Sequence, residues 1–266
     1  IHPENLTASV YLDRVVPLNR AILELWKRAI FNRSDLVQCP SRSVYERVSK
    51  LRVRAPLLLL SNGVPLGEGV CADGREVGES AVVRVLVVGR YSREKDQATV
   101  LKAMRHSRYA SQIQLVFAGR GPTEKSLRRA ASRLVHDGVL KHAPSFDFFD
   151  AAGLDAQAEQ ADLYIHAAFI EVEGLSCLEV LRHGVVPVIA HSPLTATSQF
   201  ALDAHSRFKA RDPKALARAI DYWFSDNERR QTEAQKYLNI GAHYDINDCV
   251  SRLESVYRKL ASGKAS

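Results

Sequence analysis

The chain has 266 residues, enough for one large domain or two ordinary ones, each able to bury its own core. Hydrophobic residues at 46%, charged residues at 25% and a mean hydropathy of -0.18 exclude a disordered or collagen-like chain. Thirty-seven Lys and Arg against 30 Asp and Glu leave a net charge of +7, which favours anionic partners such as nucleotide phosphates, acidic lipid headgroups or nucleic acid, without choosing among them.

The four cysteines, Cys39, Cys71, Cys177 and Cys249, form no CxxC pair or metal-finger spacing, which reads as reduced, intracellular thiols. The longest apolar runs, such as APLLLLS and GVVPVIA, fall well short of the roughly 18 to 20 residues that span a bilayer. The start, IHPENLTASV, has neither an initiator Met nor the plan of a signal peptide, so the sequence reads as a fragment.

Apolar residues at helical spacing predict a first helix from Leu18 to Phe31. A short strand in LVQCPS, a helix opening at Ser43 and a strand in APLLLLSNG follow, and the turn signal Asn62-Gly63 closes the block. The Gly-rich stretch PLGEGVCADGREVGES, residues 65 to 80, has linker composition. A second domain opens with AVVRVLVVGR, a β-branched run suited to a central parallel strand buried on both faces.

From there, predicted helices near residues 96–105, 124–134, 153–160 and 175–182 alternate with strands in QLVFAG, near Val139, in LYIHAA and in VVPVIA. Such alternation builds βα units on a parallel sheet, a doubly wound α/β domain. The tail, from DPKALARAIDYWFSDNERR to CVSRLESVYRKL, reads as amphipathic helix with Asp212 as cap and Pro213 in the first turn.

Ligands of open parallel sheets bind outside the carboxyl ends of the strands, so residues just after each strand carry the functional information. At the first exit, GRYSREKD, Arg90 and Lys95 suit a diphosphate: a guanidinium binds two oxygens at once and an ammonium adds a compact charge. A solvated basic loop would read the same way. At the second, AGRGP, Gly119 and Gly121 would let backbone approach a ligand and free amides for phosphate, although a tight strand-to-helix turn needs the same glycines.

The third exit, EVEGLSCLEVLRHGVVPVIA, is the most specific. Glu171 stands in the loop, Gly174 and Leu175 open the helix, and Glu179 lies about one turn into it. Amides at a helix start face phosphate while carboxylates accept hydrogen bonds from sugar hydroxyls, and a sugar nucleotide needs both. Acids are also common at helix N-termini for reasons unconnected with ligands.

This segment resembles the E-x7-E signature of the retaining GT-B glycosyltransferases of family 4, the large group-1 family. GRYSREKD resembles that family's Gly-Arg then Lys stretch, AGRGP its following Gly-x-Gly, LLLLSNGVPL its interdomain segment and PKALARAIDYWFSD its late helix, in the family's order from about residue 35 to the C-terminus. The resemblance implies two Rossmann-like domains facing across a cleft. Residues 1–66 would be the last part of an incomplete acceptor-side domain, 67–80 the linker, 81–228 the donor-binding domain and 229–266 helices packing back toward the first domain.

It further implies that Arg90 and Lys95 hold the donor pyrophosphate, Glu179 the nucleotide ribose and Glu171 the hydroxyls of the transferred sugar, with Glu173, Gly174 and Leu175 against sugar and phosphate. Arg90, Lys95 and Glu171 would be the catalytic set, Glu171 also stabilising positive charge at the anomeric carbon while the acceptor attacks from the leaving group's side. Glu173 and Ser176 depart from the family's usual aromatic and proline, which bears on donor identity. His2 falls near the family's active-site histidine region, but IHPEN is too short a match to carry the role.

No Asp-x-Asp pair occurs, His183, His191 and His205 form no ligand set, and no Gly-x-Ser-x-Gly elbow is present, so no metal and no cofactor is expected. Cys177 reads as a buried helix thiol. The expectation is therefore a retaining, metal-independent transfer of sugar from a nucleoside-diphosphate sugar to a glycan or lipid acceptor. The alternative is a non-catalytic nucleotide-sugar-binding module or a subunit needing a separate N-terminal half. Aromatics are not interleaved with Lys and Arg as single-strand binders require, so nucleic acid is not expected. A cytoplasmic location with peripheral contact at an anionic membrane surface is compatible with the charge.

Overall fold

The computed structural model describes residues 16–65 and 82–263. The linker stretch 67–80, with Cys71, and His2 lie outside the described residues. Two compact units result: one holds the residues up to Gly63 together with those from Ile246 onward, and the other is Val64–Asp245.

The first unit begins with helix α1, Val16–Ala29, whose last turn carries Lys27 and Arg28 against the negative end of the helix dipole. The predicted continuation to Phe31 is instead a tighter 3-10 turn, Phe31–Arg33. Strand β1, Val37–Cys39, and strand β2, Leu57–Leu59, run parallel with Val37 opposite Leu57, joined through helix α2, Arg42–Lys50. That helix starts before Ser43 because the Ser41 hydroxyl accepts from the Val44 N–H at 3.2 Å and caps it two residues earlier.

The second unit is a six-stranded sheet of β3 Val83–Val88, β4 Ile113–Ala118, β5 Ser145–Asp147, β6 Leu163–His166, β7 Pro187–His191 and β8 Arg207–Lys209. The strands lie in the order β5-β4-β3-β6-β7-β8 and every neighbouring pair is parallel. Helices α3 Gln97–Ala103, α4 Glu124–His136, α5 Ala151–Glu159 and α6 Leu175–Leu181 fall between strands, and α7 Pro213–Phe224 and α8 Asn227–Ala242 follow the sheet. Burial explains the composition of the centre: Val85, Leu86 and Val87 of β3 are each at most 3% exposed, so a strand covered on both faces has no place for alternating polar residues.

One sequence expectation fails here, and one strand is unforeseen. Val139 is not in a strand: Gly138, in the left-handed region at φ 72°, ends α4, and the Val139 and Leu140 N–H groups turn back onto the Leu134 carbonyl at 2.9 and 3.2 Å. Leu140 is then buried as a plug under the turn, and the strand forms six residues later at Ser145. The edge strand β8 is absent from the pattern because its three residues, Arg-Phe-Lys, bury only the central one. Asp212 and Pro213 act as expected, with the Asp212 carboxylate accepting from Ala215 N–H at 2.9 Å. Helix α9, Ile246–Ala261, groups with the first unit.

Candidate active site

The sheet is built outward in two directions. From β3 the chain moves through β4 to β5 on one side, then returns to place β6 beside β3 and continues to β8 on the other. Exit loops at such a reversal part from each other and leave a crevice at the carboxyl ends of the two central strands. The Arg90–Lys95 loop follows β3 and the Glu171–Gly174 loop follows β6, so the two most charged sequence candidates meet at this point. A backbone bond ties them, the Phe169 N–H donating to the Glu94 carbonyl at 3.0 Å.

Lys95 Nζ is paired with Glu171 Oε2, and the two side chains are 22% and 12% exposed. The Glu171 backbone is held on both sides: its N–H donates to the Leu194 carbonyl at 3.0 Å and its carbonyl accepts from Ala196 N–H at 2.9 Å. Its Oε1 accepts from the Val172 N–H at 3.2 Å. Beneath it, His166 Nε2 stands 3.5 Å from the same Oε2 that Lys95 engages, and His166 Nδ1 is 2.9 Å from the Tyr164 hydroxyl. Burial pushes the Glu171 carboxyl up, but His166 and Lys95 outweigh it and hold the group down at about 2.

Helix α6 starts where it does because of Gly174, which has φ +89°. A Cβ there would lie 1.9 Å from Thr197 Cγ2, so the loop passes against the Thr197 side chain only without one. Leu175 opens the helix, half-buried, and Glu173 just before it is buried at 4% exposure. Glu179 lies in the second turn, where burial and then the neighbouring Asp155 push its carboxyl up while Arg182 opposes them.

At the other end of the β3 exit loop, Arg90, Gly119 and Gly121 line a cavity of about 480 Å³ closed by Phe148, Phe149 and Leu154. Gly119 is required for packing: a Cβ on it would sit 2.2 Å from the Gly89 carbonyl oxygen. Its N–H donates to the Asp147 carbonyl at 2.7 Å, so this amide is committed to the sheet and not open to a phosphate, contrary to the sequence expectation. The Arg120 guanidinium lies 4.3 Å from the Phe148 ring centre, at the rim of the same cavity.

The structure thus gathers the candidates in two places joined by one loop. Lys95 and Glu171 form a pair beside the start of α6, and Arg90, Gly119 and Gly121 share the cavity. Sequence reasoning missed Phe148, Phe149 and Leu154, which follow a strand placed too early in the chain. It also passed over His166, whose signal was available: a polar ring inside the otherwise apolar run LYIHAA. Cys177 is a buried thiol, as expected, and burial pushes its pKa far up. Among the described residues, no three His, Cys, Asp or Glu side chains are gathered to hold a metal ion, and no helix is long and apolar enough to cross a membrane.

A doubly wound sheet with charged loops at its reversal point defines an α/β unit whose ligand crevice lies at that point. The family described as glycosyl transferases group 1 matches residues 79–237, and the chain belongs to that family. The catalytic domain of cholesterol-alpha-glucosyltransferase from Helicobacter pylori is 36% identical, with 61% of this chain and 99% of that one covered at a TM-score of 0.54. Sucrose-phosphate synthase from Thermosynechococcus elongatus is 21% identical over 92% of this chain and 62% of that one, at a TM-score of 0.76. Anabaena HepE in complex with UDP and glucose is 15% identical over 91% of this chain and 67% of its own, at a TM-score of 0.70. No curated protein sequence matches. The fold is accordingly of GT-B type.

Proposed function

We propose that the chain supplies the donor side of a retaining, metal-independent glycosyltransferase of family 4 that uses a nucleoside-diphosphate sugar and a glycan or lipid acceptor. The observation that carries this reading is the meeting of Lys95 with Glu171 at the sheet's reversal point, a cation and a carboxylate held together where a ligand enters. Arg90 and Lys95 neutralise the leaving diphosphate, which replaces a metal by fixed positive charge. Glu171 orients the sugar hydroxyls and stabilises charge at the anomeric carbon, and Glu179 accepts from the ribose. Glu173, Gly174 and Leu175 lie against sugar and phosphate.

The cavity beside Arg90, walled by Phe148 and Phe149, would take the nucleobase against its aromatic lining. Uracil is the base we assign, on the UDP complexes among the structural neighbours. Retention is supported by the Helicobacter relative, whose name specifies an α-glucosyl product: an α product from an α-linked nucleotide sugar keeps the anomeric configuration. The net charge of +7 supports peripheral contact with an anionic, lipid-acceptor-bearing membrane.

Calorimetric titration with UDP, GDP and ADP, with and without EDTA, tests the reading. UDP is expected to bind in preference, with EDTA leaving the affinity unchanged. Arg90→Ala should weaken binding about 10- to 100-fold, the value of a hydrogen bond to a charged group, and Glu179→Ala should weaken it too. Equal or absent binding of all three nucleotides, or an unchanged affinity in Arg90→Ala, overturns the assignment.

A further inference from the structure

The Lys95–Glu171 pair poses a problem for the reaction proposed above, on which the following inference rests. Both partners are largely buried, and Lys95 is also the group that must turn to the diphosphate. When it does, Glu171 loses its counter-ion inside the protein, where an uncompensated carboxylate is costly and free to change rotamer. A second group already faces the same oxygen. His166 is 2% exposed, its Nε2 is buried without a hydrogen-bond partner, and that atom lies 3.5 Å from Glu171 Oε2.

The direction of the proton follows from chemistry. An ionised carboxylate only accepts, so a ring nitrogen facing it is favourable only if it carries hydrogen. That places the proton on Nε2 and leaves Nδ1 as acceptor, a role its other neighbour can satisfy, since the Tyr164 hydroxyl 2.9 Å away is able to donate to it. The tyrosine is fully buried, so the ring is fixed from behind. Burial in turn favours the neutral ring over the imidazolium. The groups that face His166 are Tyr164 on its own strand, Lys95 from the β3 loop and Glu171 from the β6 loop.

We propose that His166 is a positioning residue for the transfer reaction, donating from Nε2 to Glu171 so that the carboxylate stays ionised and aimed at the sugar once Lys95 engages the diphosphate, with Tyr164 fixing the ring behind it. It touches neither donor nor acceptor and acts only through Glu171. The strand position explains why a polar ring is tolerated in a buried run: it has an acceptor on one side and a donor on the other.

The test compares His166→Leu, His166→Gln and Tyr164→Phe in the full chain by steady-state kinetics with UDP-glucose, UDP affinity and the ring tautomer from long-range proton–nitrogen NMR. His166→Leu is expected to lower kcat about 10- to 100-fold while the UDP Kd stays within about twofold, the loss of one hydrogen bond to a charge. His166→Gln, which retains an N–H donor, should recover most of that loss, and Tyr164→Phe should fall between. The His166 signal is expected as the neutral Nε2–H tautomer, shifted by Glu171→Gln.

A wild-type kcat in His166→Leu, parallel losses of kcat and UDP affinity, or a ring protonated at Nδ1 would each overturn the proposal. Should the leucine variant fail to fold, the glutamine variant and the tautomer decide. Failure of wild type to bind UDP or turn over UDP-glucose would strike the nucleotide-sugar reading instead, and the tautomer with its response to Glu171→Gln would still decide whether His166 holds that carboxylate.

Discussion

Glu171 is the residue on which most of the local electrostatics converge. Its folded pKa of about 2 lies below the ordinary 4.5, because Lys95 and His166 favour the anion more than burial disfavours it. A carboxyl depressed in the folded state contributes stability that is fully present above its unfolded pKa and is lost as pH falls through the folded value. The relevant window therefore runs from pH 4.5 down to 2. Urea denaturation across that window should show a smaller loss of stability in Glu171→Gln than in wild type, since the variant has no proton to take up there. Parallel curves would mean that the pair does not perturb the carboxyl. The pairing itself could not be read from the chain, because Lys95 and Glu171 are 76 positions apart and meet only across two loops.

At the level of elements, the start of α6 depends on a single absent methyl. Gly174 combines positive φ with a void that Thr197 fills, so Gly174→Ala introduces two separate costs. The left-handed backbone alone costs on the order of 1–3 kcal/mol for a residue with a Cβ. The overlap with Thr197 Cγ2 adds to it, and Thr197→Ser removes that methyl. A double-mutant cycle should show Thr197→Ser recovering the steric share and leaving the backbone share. Full additivity of the two changes would refute the contact.

The Gly in the motif EVEGL was visible in the sequence, but its neighbour was not, since Thr197 belongs to a 3-10 turn after β7 with no periodic signature. The strand misplaced at Val139 shows the reverse case. Val139 and Leu140 look like the core of a strand, yet Gly138 turns them back under α4, and burial by a turn leaves the same apolar mark as burial in a sheet.

At the scale of the molecule, a ligand that binds only the folded state stabilises it by mass action. At a hundred times its Kd, UDP should add about 2.7 kcal/mol. For a unit of this size that is a rise in melting temperature of about 5–10 °C, and Arg90→Ala should abolish most of it. Differential scanning calorimetry would read the shift, and a melting temperature indifferent to UDP would count against a nucleotide pocket in this chain. The excess of positive charge predicts that nucleotide affinity also falls as salt rises, in line with phosphate recognition by exposed Arg and half-buried Lys.

The amino-acid sequence by itself determined most of the alternation of strands and helices in the second unit, the Asp212 cap with Pro213 in the first turn, and the positions of the three strand exits. It could do so because those features are local: periods of two and 3.6, turn residues and charged exits each act within a few positions of themselves. Only the tertiary structure decided that Lys95 closes on Glu171, that His166 and Tyr164 stand behind that carboxylate, that Gly119 gives its amide to Asp147, and that Phe148 and Phe149 wall the cavity beside Arg90. The physical reason is non-local in each case. Three of them are contacts between the ends of different strands, set by the order in which the sheet is assembled, and the other, within β6 and its exit loop, depends on how that loop folds back over the strand end; the chain carries no local record of either.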